Sequence, residues 1–386
     1  MDRLACSVLL GIHLFSIGVA SIFPVLLLAH GETNAGRWVG LAFALLITGT
    51  LSLWLFRFAN TKQWAPRAIL LVLMLAAICF AKAFLLTPAH PDSGGAFREH
   101  YQNQTHYRRA SLAQLVPEID QLKLGSYLFG VTDPFIDNGQ AQALRKNLSK
   151  VYGELRTDTD FRDSSSVLGM AYKDLFLVQR NKRHFYEYRP EKAHGGVLIF
   201  LHGSLGNFKG YVWSLKETAD ALGITILAPT YGMGNWQHDK ECSRVSEMIA
   251  YCQTDDTLIN KRLYLGGISN GGRGCLRAVQ QFGSSFAGVI LISPVMESHL
   301  IDSPSFQSAS LGLPFLILHG TDDRRIPFHS IRKTVKMLEN IGARVELRSW
   351  EGEDHFLMFQ KRDALKSILA PWIQAQESAG GTGENL

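Results

Sequence analysis

Hydrophobic positions follow two regimes along the 386 residues. Up to residue 87 they form long unbroken runs. Leu4–Ala29 carries no charge, Trp38–Phe56 is also uncharged, and Ala68–Leu86 holds Lys82 as its one charge. A bilayer core takes ~20 apolar helical residues, because the backbone there must bond to itself. The pattern therefore predicts three transmembrane helices within 1–87. A cleaved signal peptide is the alternative for the first run, although the apolar core of such signals is usually ~7–15 residues. A buried hairpin is the alternative for the other two, against which charges gather between the runs and not inside them.

Beyond residue 87 the pattern breaks up. Pro88, Pro91, Gly94 and Gly95 punctuate a short linker, and Ala110–Leu124 and Gln140–Arg156 read as polar helices. Residues 88–165 are thus expected to be a linker with a helical tether or cap. The acids of Thr132–Gly139 loosely suggest a calcium loop, but their spacing is not that of an EF-hand and a turn accounts for them. Tyr172–Val178 and His184–Tyr188 read as a hairpin. Short apolar runs then alternate with helical segments. The runs are Val197–Leu201, Ile224–Ala228, Leu263–Gly267, Val289–Ser293, Phe315–Leu318 and Val345–Ser349. The helical segments include Tyr211–Leu222, Cys242–Gln253, Gly271–Phe282 and Ser330–Ile341. Strands without alternation are buried on both faces, so residues 166–376 predict an α/β domain around a doubly wound, mostly parallel sheet. Residues 377–386 read as a disordered tail.

Charge sharpens the first regime and excludes some partners. Residues 1–87 hold six of the 39 Lys and Arg and two of the 34 acids, which leaves the remainder nearly neutral. That balance argues against a nucleic-acid partner. Arg57, Lys62 and Arg67 flank the link between the second and third runs, whereas Arg37 faces Glu32 at the first link. Positive residues stay cytoplasmic, so the N-terminus is expected inside and residues 88–386 on the periplasmic, extracellular or lumenal side. Lys82 sits near the outer end of its run and can snorkel to the interface. The sequons Asn103-Gln104-Thr105 and Asn147-Leu148-Ser149 fit an exported domain without requiring one. Cys242 and Cys252 could bridge there, or be two buried thiols. No Cys or His spacing suggests zinc.

Ligands of a doubly wound sheet bind beyond the carboxyl ends of its strands, which is where four motifs fall. Gly267-Ile268-Ser269-Asn270-Gly271 lies between a strand and a helix, the setting of a strained turn that exposes a serine nucleophile. Asn270 then offers a backbone N–H to a tetrahedral oxyanion. His202-Gly203-Ser204 follows another strand and can supply a second N–H, from Ser204. His194-Gly195-Gly196 precedes that strand and so belongs to the wrong end of the sheet. His319-Gly320-Thr321-Asp322-Asp323 presents acids after a strand. Asp323 is the choice for orienting a histidine, with Asp322 the alternative, and His319 is expected to brace the turn. His355, in Glu351-Gly352-Glu353-Asp354-His355, follows the last strand and is the candidate general base. Met233 and Trp236 lie beyond Ile224–Ala228 and are candidates for a substrate pocket, with a core-facing aromatic as the alternative for the tryptophan.

With its nucleophile, acid and base in the order Ser269, Asp323, His355, the stretch 170–375 resembles the α/β-hydrolase superfamily. From His319 to His355 it is similar to prolyl-oligopeptidase-type and dienelactone-hydrolase-like domains. Asn270 stands where such peptidases often carry an aromatic residue, and residues 88–170 are too few for a β-propeller. The resemblance implies a serine hydrolase that needs no metal or organic cofactor. The expected substrate is a carboxylic ester, thioester or amide, of lipid, glycan or peptide origin. A prolyl-oligopeptidase-type serine peptidase, an acyltransferase and a non-catalytic membrane receptor on a hydrolase fold are the competing readings.

Overall fold

A computed structural model describes residues 3–58, 64–89, 95–102, 106–175, 183–238 and 242–380. The chain divides into two compact units, residues 1–89 with 108–132, and residues 90–107 with 133–386.

The first unit is helical. Arg3–His30, Asn34–Phe58 and Ala65–Leu85 are its long helices. The segments Ile12–His30, Asn34–Ser52 and Ala65–Leu85 are long and apolar enough to cross a membrane. Phe15, Leu70 and Ile78 stand exposed on them, an arrangement suited to lipid and not to water. Where Ala110–Leu124 was expected as one helix, Pro117 separates a short Leu112–Leu115 turn from Glu118–Thr132. The latter helix fastens onto the link between the first two long helices. Asp120 is buried and accepts from the Glu32 N–H at 2.6 Å and from the Thr33 hydroxyl. It thereby holds Thr33, whose hydroxyl oxygen accepts the Gly36 N–H at 3.0 Å and caps the second long helix. Gly36 leaves the space, since a Cβ there would lie 2.2 Å from Asp120 Oδ2. Lys123 pairs with Glu32 at 2.6 Å, and Tyr127 stacks on His30.

The second unit is built on an eight-stranded sheet. Its strands are β1 (Phe97–Gln102), β2 (Arg183–Tyr188), β3 (Val197–Leu201), β4 (Thr225–Thr230), β5 (Leu263–Ile268), β6 (Phe286–Ile292), β7 (Pro314–Gly320) and β8 (Arg344–Trp350). The order is β1-β2-β4-β3-β5-β6-β7-β8, with β2 antiparallel to both its neighbours, β1 and β4, and the remaining pairs parallel. Helices Lys209–Leu222, Ser243–Thr254, Asn270–Phe282 and Phe328–Asn340 connect the parallel strands. β3, β4 and β7 are buried along their whole length, which is why their sequences read as unbroken apolar runs. The order reverses between β3 and β5, so their carboxyl ends open the crevice of the fold.

Three expectations change. The hairpin gives way to a helix, Leu168–Leu175, and β2 pairs instead with β1 and β4; residues 176–178 lie outside the described residues. β1 comes from the stretch read as linker. Its alternation is masked by polar residues that point inward and are satisfied there: Glu99 accepts from Tyr101, from Ser165 N–H and from the Ser165 hydroxyl. Burial alone would raise the Glu99 carboxyl, but His184, Ser165 and Tyr101 together hold it low. The helix Arg362–Gly380 runs into the expected tail, where Glu377 accepts from the Tyr264 hydroxyl at 2.8 Å; residues 381–386 lie outside the described residues.

Cys242 and Cys252 are buried and not joined in a disulfide, and burial pushes the Cys252 thiol up to about 12. Asn147 lies within the helix Asn138–Leu155, beside the buried Leu148, a poor setting for a glycan; the sequon at Asn103 lies outside the described residues.

Candidate active site

The elbow forms at the end of β5. Ser269 has φ 51° and ψ −120°, a conformation costly for a side chain bearing a Cβ. It is held from both sides. The Ser269 N–H donates to Ile292 O at 3.0 Å, and the Val295 and Gly272 N–H groups donate to Ser269 O at 2.8 and 2.9 Å. The glycines are dictated by close approach. A Cβ on Gly271 would sit 2.1 Å from Leu201 O, and one on Gly267 would sit 2.7 Å from the Gly271 backbone. Asn270 opens the helix Asn270–Phe282, where backbone N–H groups and the helix dipole favour negative charge.

Ser269, Asp323 and His355 are brought together from three strand ends. His355 Nε2 lies 3.0 Å from Ser269 Oγ, and His355 Nδ1 lies 2.8 Å from Asp323 Oδ2. The other Asp323 oxygen accepts the N–H groups of Arg325 and Ile326 at 2.9 and 2.8 Å. Burial would raise this carboxyl. The hydrogen bond and charge of His355, with the Ile326 N–H and His319, outweigh burial and keep it ionised below the usual range. An ionised Asp323 accepts from Nδ1–H, which leaves Nε2 as the acceptor facing the serine hydroxyl. Asp322 points elsewhere. It is about half exposed, lies 3.5 Å from Gln140 Nε2, and its N–H donates to Glu353 O. That bond ties the acid turn to the turn carrying His355. So do Gly352 N–H to Thr321 Oγ1, at 2.9 Å, and Gly320, where a Cβ would meet Glu353 O at 2.2 Å. His319 braces the turn, its Nε2–H donating to Ile326 O at 2.9 Å; burial pushes its pKa down against the pull of Asp323.

The turn after β3 reaches the elbow from the other side. Asn270 Nδ2 donates to Ser204 Oγ at 2.8 Å, joining the two candidate oxyanion residues. A Cβ on Gly203 would lie 3.1 Å from Ser269 Cβ, so the two turns are in contact. His202, buried completely, accepts the Tyr231 N–H at Nε2 and donates from Nδ1 to Gly203 O at 2.8 Å. Burial lowers its pKa to about 4. Asn207 spans from this turn to Ala228 O and Thr230 Oγ1.

The two pocket candidates separate. Trp236 is fully buried, with its indole N–H donating to His202 O at 2.9 Å and its ring against Tyr231, His202 and Gly274. It is a core residue that supports the β3 turn and not a pocket wall; the loop after β4 turns its large apolar side chain inward. Met233 remains half-buried on that loop, its N–H donating to Asp174 Oδ2 at 3.1 Å. Asp174 carried no sequence signal, since its helix read as a strand. Neither did Arg273, which pairs with Glu297 at 2.7 Å and donates to Asn235 O at 2.8 Å, joining the elbow helix to two loops. Among the described residues no group of His, Cys, Asp and Glu is arranged to hold a metal ion.

The profile of the phospholipase/carboxylesterase family matches residues 236–373. No curated protein matches the sequence. Among solved structures, the chain is similar to Est1E from Butyrivibrio proteoclasticus, at 15% identity and a TM-score of 0.42, over 51% of this chain and 95% of that one. It is also similar to acyl-protein thioesterase 2 from Zea mays, at 16% and 0.40, over 50% of this chain and 98% of that one. A third is the acylaminoacyl peptidase of Pyrococcus horikoshii, at 13% and 0.40, over 50% of this chain and 39% of that one. With its sheet order, the elbow after β5 and the match across its carboxyl-terminal half, the second unit has the α/β-hydrolase fold, in a chain that also carries three long apolar N-terminal helices.

Proposed function

We propose that the protein is a membrane-anchored serine hydrolase that cleaves a carboxylic ester, thioester or amide through an acyl-enzyme on Ser269. The observation that carries this reading is the unbroken relay from Ser269 Oγ through His355 to the buried Asp323. The Ser269 hydroxyl attacks the substrate carbonyl while His355 Nε2 takes its proton. Asp323 holds the imidazole in the required tautomer and stabilises the imidazolium that forms. The N–H groups of Ser204 and Asn270 stabilise the oxyanion, in a site where fixed donors act without reorganising. His355 returns the proton to the leaving group, and a water activated by the same nitrogen then releases the acid. No step calls for a metal or organic cofactor. The three apolar helices anchor the domain in the bilayer, and the charge pattern of their links favours a catalytic domain outside the cytoplasm. There it would meet esters or amides of lipids, glycans or peptides.

The test is a panel of p-nitrophenyl esters, an acyl thioester and an aminoacyl amide, offered to the full-length protein in detergent micelles. Turnover of at least one class, lost in Ser269→Ala, is expected. Equal turnover by the alanine variant, or none of any class by the wild type, would overturn the proposal.

A further inference from the structure

The segment that follows residue 132 carries the acids that loosely resembled a calcium loop. In the fold those acids are matched by the two arginines of the acid turn. Asp133 pairs with Arg325, Asp137 with Arg324 at 3.3 Å, and Gln140 Nε2 reaches Asp322 Oδ2 at 3.5 Å. Three positions along one segment thus meet three positions along the turn that holds Asp323. The Arg325 guanidinium also lies over the Phe135 ring, at 5.9 Å. Of the two ion pairs, Asp133–Arg325 is the better shielded, with the Asp133 side chain 13% exposed against about half for both partners of Asp137–Arg324. An exposed pair adds little to stability, so position matters more here.

Position is what Asp323 depends on. One of its oxygens is fixed by the N–H groups of Arg325 and Ile326, the residue that Asp133 grips and its neighbour. The grip is anchored further along. Asp137 and Gln140 form a capping box that starts the helix Asn138–Leu155. That helix is fixed to the region beyond His355 by Glu154–Arg362 and Lys150–Asp363. Residues 133–155 therefore engage both the turn before Asp323's partner N–H groups and the helix that follows the His355 turn. The matched family profile begins only at residue 236, so this arm lies outside it.

We propose that Asp133 and Arg325 are positioning residues for the reaction: their ion pair fixes the backbone that aims Asp323 at His355. The proposal rests on the serine-hydrolase reading above, and its test separates the two. Active sites are first counted with a fluorophosphonate, and kcat and KM are then measured per titrated site. Asp133→Asn and Arg325→Met should each lower kcat by about 10- to 100-fold with KM within about twofold, as a displacement near 1 Å does. Arg325→Lys, which keeps the charge, should recover most of the loss. The Asp133→Asn/Arg325→Met double variant should lose no more than the worse single one, because either change opens the same clamp. A merely structural pair would reduce the number of titratable sites and leave kcat per site intact, and that result overturns the proposal. So do single variants with kcat within twofold of wild type. If the wild type takes up no fluorophosphonate, the hydrolase reading itself falls, and this proposal with it.

Discussion

Replacing the two neighbouring acids of the β7 turn discriminates sharply between them. In Asp323→Asn the side-chain oxygen can still accept the N–H groups of Arg325 and Ile326, which lie 2.9 and 2.8 Å away. The new amide NH2 then takes the place of Oδ2, 2.8 Å from His355 Nδ1. Two donors cannot share that contact, so the imidazole must present Nδ1 as an acceptor and carry its proton on Nε2. Nε2 faces Ser269 Oγ at 3.0 Å and, once protonated, cannot take the serine proton. Loss of the correct tautomer costs about 10⁴ in kcat, or about 5.5 kcal/mol of transition-state stabilisation. Asp322→Asn keeps its backbone bond to Glu353 O and changes only a half-exposed side chain, so the expected loss is less than about twofold. Burst kinetics with an activated ester measure both, with active sites counted from burst amplitude where the wild type shows one. Activity of Asp323→Asn within about tenfold of wild type, or a larger loss in Asp322→Asn, would refute the tautomer argument.

Other outcomes follow from the same contacts. Trp236→Ala should lower stability by ~3–5 kcal/mol, read as a fall in melting temperature, because a fully buried indole and its bond to His202 are removed; unchanged melting with altered acyl-chain preference would restore it to the pocket. His202 binds its proton at about 4 when folded and near 6.5 when unfolded. As pH falls from 6.5 towards 4 the unfolded chain therefore binds more protons, and stability drops by about 3 kcal/mol from this residue. Melting curves across that window should be flatter with pH in His202→Gln, and equal slopes would contradict the assignment. For topology, alkaline phosphatase fused after residue 88 should be active and green fluorescent protein dark; the reverse pattern would place the hydrolase domain in the cytoplasm.

Strands buried on both faces announce themselves, and β3, β5 and β7 were readable because their apolar runs end directly in glycine-rich turns that carry Ser204, Ser269 and Asp323. The order of those turns along the chain was enough to bring Ser269, Asp323 and His355 to one edge. β1 was not readable, because Glu99, His100 and Tyr101 make it look like a linker. Their partners Ser165 and Glu187 lie more than sixty residues away, and only the paired register brings them in. Leu168–Leu175 misled in the opposite direction, because the sequence runs on from Leu175 into the apolar Phe176-Leu177-Val178 and so imitates a strand. Trp236 shows the limit of placing residues by strand end alone: a loop can send one side chain into the core and leave Met233 half-exposed three residues earlier. The match of Asp133 and Asp137 to Arg325 and Arg324 has no sequence periodicity, since it joins positions almost two hundred apart.

The measurement closest to the central claim is peptide mapping of the purified full-length protein after exposure to a fluorophosphonate. One adduct is expected, on the peptide containing Gly267-Ile268-Ser269-Asn270-Gly271, at Ser269, and it should be absent from Ser269→Ala and strongly slowed in His355→Ala. An adduct on another serine, or none on a folded protein, would contradict the assignment of Ser269 as the nucleophile.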